Sequence, residues 1–441
     1  MEDRISISDF ACAISDVIDL ASPALDKHHK KVAYLSCRIA QEMDLPNNEI
    51  QDIIIASIMH DIGSFSIEER IKSLVFEFDI NNSKSNRHEL LGYKLLKGFE
   101  PLVNAALLIR HHHEVYDKSK YDIPIGSYII HLADRVSVLF DERREILEQI
   151  PEVYEKVSEK QHLFHPQTLS AFNRLTNKEY VWIETFSPVF STTILKEMLF
   201  TKEIIDLETL RCFAKVIAQI IDFRNRFTAT HSSGVAAVAK KLATVAGLSE
   251  RECKLLEITG FLHDLGKLGV SNSILEKKSP LNDEEFNTVK KHSYYTYAIL
   301  SKISGLEQIA AWAAYHHERH DGTGYPFHVK GKDFSQLARI LAVADVMTAL
   351  SEDRPYRAGM GREKATKTLS FMAESGGIDK RIVEMANLNY SYINNARIKA
   401  QRQAHREYEA FYNTSVEEQS HKPVINKLTD QLFVIPAVQA V

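Results

Sequence analysis

His231 is followed after 32 residues by the adjacent pair His263 and Asp264, after 28 more by His292, after 24 by His316 and His317, and 28 beyond that pair by Asp345. Neutral imidazole nitrogens and carboxylate oxygens are the donors that divalent first-row metal ions accept. A pair of such ions needs about eight to ten donors, with one carboxylate able to bridge them. Adjacent residues on a helix point about 100° apart, so His263 can serve one ion while Asp264 reaches between two. Two ions held this way lower the pKa of a water so that hydroxide attacks phosphorus in line while the 3′ oxygen leaves. No nucleophilic Ser or Cys motif is visible, and this chemistry needs none.

The ladder occurs twice. In the N-terminal half His28 is followed after 32 residues by His60 and Asp61, after 27 by His88, after 24 by His112 and His113, and after 21 by Asp134. With 19 His in 441 residues, five matched histidines arise by chance on the order of once in ten million trials. Flanking residues agree too: V-A follows both first histidines at the same distance, Glu114 and Glu318 follow the pairs, and Ala precedes both last aspartates. The chain is therefore expected to hold a duplication, residues 1–195 and about 200–415, with a tail over 416–441. The stretch FSPVFSTT interrupts the helical pattern at the boundary.

Helices must position these donors. Apolar residues recur at three- and four-residue steps in VAYLSCRIAQEM, VAAVAKKLATVAGL, CKLLEITGFL and ARILAVADVMTAL, with little strict alternation, which predicts an all-α fold of two tandem helical bundles. Ser249 with Glu252, and Asn282 with Glu285, form capping boxes at helix starts, and Gly266 and Gly269 mark a helix stop.

Composition narrows the function. The chain is 44% apolar and 26% charged, enough for two or three globular domains, and its formal charge of −5 offers no basic surplus for polymeric nucleic acid or anionic lipid. Cys12, Cys37, Cys212 and Cys253 are far apart without CxxC spacing, which suits reduced thiols in a cytoplasmic protein. The acidic start carries no secretory signal, and no apolar run is long enough to span a membrane.

The ordered elements HSSGVA at 231, HDLGK at 263, His292, HHERHDGTGYP at 316, AD at 344 and RPYR at 354 resemble the HD-GYP family, a branch of the HD phosphohydrolases. The resemblance is dense over residues 231–357 and implies a helical, metal-dependent phosphodiesterase that opens bacterial cyclic dinucleotides to linear 5′-phosphorylated products. An HD repeat followed by an HD-GYP repeat is also similar to enzymes acting on 3′,3′-cyclic GMP-AMP; the resemblance leaves open whether that hybrid or c-di-GMP is preferred. By position it implies that His231, His263, Asp264 and Asp345 surround one ion, and that Asp264, His292, His316 and His317 surround the other. The cofactors expected are two divalent transition-metal ions, Mn, Fe or similar. Lys267 would meet a phosphate oxygen as charge builds up, Arg354 and Arg357 would hold the substrate phosphates, and Tyr325 would stack on a base or simply pack. A homodimer is compatible with this reading.

Several positions depart from the family pattern. Phe227 stands where trinuclear members place a Glu, which argues for two ions, and Thr348 stands where a carboxylate is usual. In the first repeat Ser64 replaces the lysine, HHEVYDKSKYDIP replaces the GYP loop, and no RPYR is evident. Arg143 and Arg144 would either imitate the phosphate clamp or lie on a solvated helix face. The first repeat is expected to be catalytically weak or silent and to support the second by packing, dimerisation or ligand sensing. Two other functions use similar donors: a nucleotide phosphohydrolase of the broader HD superfamily, which needs no GYP loop, and a non-catalytic cyclic-dinucleotide receptor or scaffold, which needs no Lys267.

Overall fold

The computed structural model describes residues 6–20, 27–64, 87–117, 123–187, 205–224, 228–277, 279–330, 333–353 and 358–417, with single residues between 193 and 197. Helices dominate, and no strand occurs among the described residues. The first half contains α1 (Ile7–Leu20), α2 (His28–Glu42), α3 (Asn47–Met59), α4 (Arg87–Leu96), α5 (Val103–Arg110) and α6 (Ile125–Ser137), then α7 (Ile146–Glu159), α8 (Pro166–Leu175) and α9 (Glu179–Phe186). The second contains α10 (Leu207–Asp222), α11 (His231–Val245), α12 (Glu250–Leu262), the short α13 (Asn272–Leu275), α14 (Asp283–Leu300), α15 (Glu307–Ala314) and α16 (Gln336–Ser351). It closes with α17 (Arg362–Glu374), α18 (Lys380–Leu388) and the long α19 (Tyr390–Glu417).

Both expected capping boxes form. Ser249 and Glu252 exchange hydrogen bonds at the start of α12, and Asn282 and Glu285 do so at the start of α14, satisfying amides that a helix N-terminus leaves unpaired. The stop of α12 differs from the expectation. The helix ends at Leu262, a 3-10 turn over Leu265–Gly269 follows, and Gly266 serves close packing instead of a left-handed cap. A Cβ on Gly266 would lie 2.0 Å from the carbonyl oxygen of His292, and one on Gly63 would lie 2.1 Å from that of His88. The glycine in each HDxG motif thus lets the motif's turn press against the helix that carries the next histidine.

The duplication extends further towards the N-terminus than the histidines alone indicate. Helices α1 and α10 precede the two ladders, and FACAI in one matches FAKVI in the other. Phe10 and Phe213 stand 18 residues before His28 and His231, and their rings meet edge-on with centroids 4.9 Å apart. Around them α1 packs on α14 and on the 265–269 turn, while α10 packs on α4, the counterpart of α14. A residue that touches its own equivalent is the mark of an isologous contact. The two halves are packed about an internal pseudo-two-fold axis, and one apolar core runs through both. A further core of the second half lies among α11, α16, α17, α18 and α19.

Candidate metal centre

Each candidate ligand of the second repeat sits at a helix end or on a helix that faces a common centre. Helix α11 opens on His231 itself. Its start is fixed by Asp222 at the end of α10, which accepts hydrogen bonds from the Ser232 amide and hydroxyl, both at 2.9 Å. Burial pushes the Asp222 carboxyl up to about 7, against the pull of His231 and these two bonds. His263 is the last residue of α12 with helical torsions, and Asp264 has left the helix. The pair therefore diverges because the chain turns there, not because of a helical twist. His292 comes from α14, His316 and His317 from a 3-10 turn after α15, and Asp345 from α16.

Backbone carbonyls fix the tautomers. The Nδ1 of His263 donates to the Gly260 carbonyl at 2.8 Å, that of His292 to Val289 at 2.5 Å, and that of His316 to Ala313 at 2.6 Å. Each ring therefore carries its proton on Nδ1 and aims the Nε2 lone pair inward. The Nε2 atoms of His292 and His316 face one another at 3.2 Å. Two lone pairs at that distance repel unless a cation lies beside them. The His263 Nε2 and Asp264 Oδ1 atoms are buried and have no hydrogen-bond partner. These are donors without acceptable hydrogen-bond chemistry, and a metal ion is the group that fits them.

The carboxylate of Asp264 faces two ways. Its Oδ2 lies 3.2 Å from His263 Nε2 and 3.8 Å from His231 Nε2, while its Oδ1 lies 3.5 Å from His292 Nε2 and 3.8 Å from His316 Nε2. His231, His263 and Asp264 form one group with ligand spacing, and His292, His316 and His317 form another. Asp345 Oδ1 lies 3.3 Å from His231 Nε2, beside the first group. The structure thus brings together all seven residues of the second ladder.

Charge states suit ligation. Burial holds the His292 imidazole down to about 3 and the His317 imidazole down to about 4, so both are neutral near pH 7. Burial opposes ionisation of Asp264, but His263 and Lys267 outweigh it and keep the carboxyl well below its ordinary range. Asp345 behaves alike: burial is overcome by the hydrogen bond and charge of His231. The Lys267 ammonium lies 2.6 Å from Asp264 Oδ2, at the mouth of the cluster and partly exposed.

The Tyr325 ring lies beside His317, with centroids 5.0 Å apart, and edge-on to Phe286. Burial, with Asp345 and Asp264 nearby, raises its hydroxyl pKa. Gly324 allows the loop to cross the chain at Glu318 and Arg319, where a Cβ would lie 2.3 Å from the Arg319 amide nitrogen. Arg354, Arg357 and Phe227 lie outside the described residues, as does the 418–441 tail.

Three carboxylates of this half carry roles that spacing alone did not single out. Asp222 caps α11. Glu318 accepts hydrogen bonds from the amides of Phe327, His328 and Val329 at 2.7, 3.0 and 3.2 Å, closing the GYP loop. Glu352 lies 3.0 Å from His231 Nδ1 and accepts a further bond from Gln401 of α19. Thr348, buried with an unpartnered hydroxyl, does not replace the missing carboxylate; Glu352, one turn later, stands against the ligand ring instead. Such a carboxylate fixes the ring and raises its basicity. Glu352→Ala is expected to weaken Mn²⁺ binding about 10- to 100-fold in a calorimetric titration, with the melting profile of the metal-free chain little changed.

The first repeat reproduces the geometry. His28, His60 and Asp61 form one group, and His88, His112 and His113 another. His60 and His112 donate from Nδ1 to carbonyls at 2.8 and 2.7 Å, and the Nε2 atoms of His88 and His112 face each other at 3.3 Å. Asp134 Oδ1 lies 3.2 Å from His28 Nε2. Arg143 and Arg144 are on an exposed turn, paired with Asp141 and Glu152. Their solvated reading is the one the structure supports, although the site is a turn and not a helix face.

Comparison with known proteins adds independent findings. Family models described as HD domain match residues 25–139 and 215–382. A 3′3′-cGAMP-specific phosphodiesterase of Vibrio cholerae is 28% identical over 373 residues, 81% of this chain and 86% of that protein. A cyclic di-GMP phosphodiesterase response regulator of Xanthomonas campestris is 38% identical over 143 residues, 32% of this chain and 38% of its own length. The crystal structure of a cyclic GMP-AMP specific phosphodiesterase of V. cholerae superposes with a TM-score of 0.61 at 23% identity, covering 87% of this chain and 97% of that one. The last likeness is one of fold.

Proposed function

Because the chain belongs to the HD-domain family, with two such domains in tandem, we propose that it is a metal-dependent phosphodiesterase that opens a bacterial cyclic dinucleotide, 3′,3′-cGAMP or c-di-GMP, to the linear 5′-phosphorylated form. The observation that carries this reading is Asp264, whose two oxygens address two separate groups of inward-facing imidazoles. Divalent ions held there supply Lewis acidity and lower the pKa of water towards neutrality.

The chain's own residues do the rest. His231, His263, Asp264 and Asp345 hold one position, and Asp264, His292, His316 and His317 the other. Lys267 donates to a phosphate oxygen as negative charge develops, a contact that strengthens towards the transition state. Tyr325, against His317, borders the substrate on the GYP side, and Arg354 and Arg357 clamp the phosphates by planar, bidentate contacts. Residues 1–195 and 200–415 are the two units in this proposal. The first is catalytically silent and serves as the packing partner of the second.

Two ions of Mn or Fe type, a cytoplasmic location and a homodimer complete the proposal; no helix among the described residues is long and apolar enough to cross a membrane. Purified full-length chain with Mn²⁺, given 3′,3′-cGAMP, c-di-GMP and c-di-AMP side by side, is expected to yield linear dinucleotide from at least one of the first two. Binding of these ligands without any product would instead make the chain a receptor.

A further inference from the structure

One position of the first ladder departs from its counterpart in charge: Arg135 follows Asp134 where Val346 follows Asp345. Its side chain is 11% exposed, and it is turned into the cluster. The Nη2 atom lies 3.1 Å from Asp134 Oδ2 and 2.9 Å from His113 Nδ1. A guanidinium keeps its protons, so in this contact it donates and the imidazole accepts at Nδ1. A neutral imidazole has one lone pair, so its proton then sits on Nε2 and neither nitrogen of His113 remains for a cation. Protonating the ring would leave no lone pair at all. At the other end of Asp134, Oδ1 still faces His28 Nε2 at 3.2 Å.

We infer that the first repeat holds a single divalent ion, among His28, His60, Asp61 and Asp134, and that the Arg135 guanidinium takes the place of the second. This rests on the reading of both ladders as metal sites. The guanidinium supplies a fixed positive charge beside His113 but no vacant coordination position. The first repeat then lacks the two-ion arrangement that hydrolysis uses, apart from its missing lysine and GYP loop. Its ion acts as a structural pin at the base of α2, α3 and α6.

The test is a metal count by mass spectrometry on the full chain after loading with Mn²⁺ and desalting, with folding checked by circular dichroism. The wild type is expected to retain about three Mn per chain, Asp61→Ala about two, Asp264→Ala about one and Arg135→Val about four. A wild type that retains four, an Asp61→Ala variant that loses none, or an Arg135→Val variant that gains none while Asp61→Ala loses one would each overturn the inference. If Arg135→Val does not fold, the anomalous map of wild-type crystals decides: a Mn peak ligated by His88, His112 and His113 overturns it, and a peak at His28 and Asp134 alone supports it. An unchanged count in Asp264→Ala would instead strike the reading of the second ladder, leaving the Arg135 comparison intact.

Discussion

Asp264→Ala is expected to lower cyclic-dinucleotide hydrolysis by about 10³- to 10⁵-fold, because members of one catalytic unit are worth nearly the whole unit when removed singly. The side chain is buried, each oxygen faces a different imidazole group, and Lys267 leans on it. Its loss removes the bridge between both ion positions and the anchor of the cation that meets the phosphate. The metal-free fold should survive, since the substitution deletes a buried charge while Nδ1 of each surrounding ring keeps its carbonyl partner. Rates measured with excess Mn²⁺ and a thermal melt of the same preparation check both halves of the expectation. The variant also exposes any turnover by the first repeat within the intact chain. That is the appropriate setting, because one core runs through both halves and cutting the chain would strip apolar surface from each.

Phe213→Ala carries the largest expected cost in stability, about 3–5 kcal/mol. Phe213 has no exposed surface and meets Phe10 and Phe99 with ring centroids 4.9 and 5.0 Å away. Truncating it opens a cavity on the pseudo-two-fold axis, where relaxation of one half is limited by the other. Denaturant unfolding should register the loss as one transition shared by both halves. Phe371→Ala, at a residue 71% exposed, should stay within about 0.5 kcal/mol of the parent. Two separate transitions, with only the second-half one shifted, would contradict a common core.

Much of the site is legible in the sequence because metal ligation constrains residue type. Nothing else readily substitutes for an imidazole or a carboxylate, so His231 to Asp345 and His28 to Asp134 keep matching types at matching spacings. Both capping boxes are equally legible, since their partners lie three residues apart. The roles of Glu352, Glu318 and Asp222 are not visible in that way. Glu352 reaches His231 across 121 residues, and Glu318 closes its loop through main-chain amides that leave no trace in side-chain identity. Arg135 is present in the sequence, yet its meaning depends on which way a guanidinium points. The FACAI and FAKVI match was available in the sequence. Its consequence, a contact between equivalent residues on an internal axis, requires knowing how α1 and α10 cross. The helix stop after Leu262 shows the reverse problem: glycine commonly ends a helix, but here its lack of a Cβ is used to approach the His292 carbonyl.

Crystals of the full chain grown with excess Mn²⁺, with anomalous differences collected above the manganese edge, would locate the ions themselves. Two peaks are expected in the second repeat, about 3.5–4 Å apart, one against His231 and His263, the other against His292, His316 and His317, with the Asp264 carboxylate between them. A map without density at these imidazoles, or with an ion that Asp264 does not touch, would contradict the proposed chemistry.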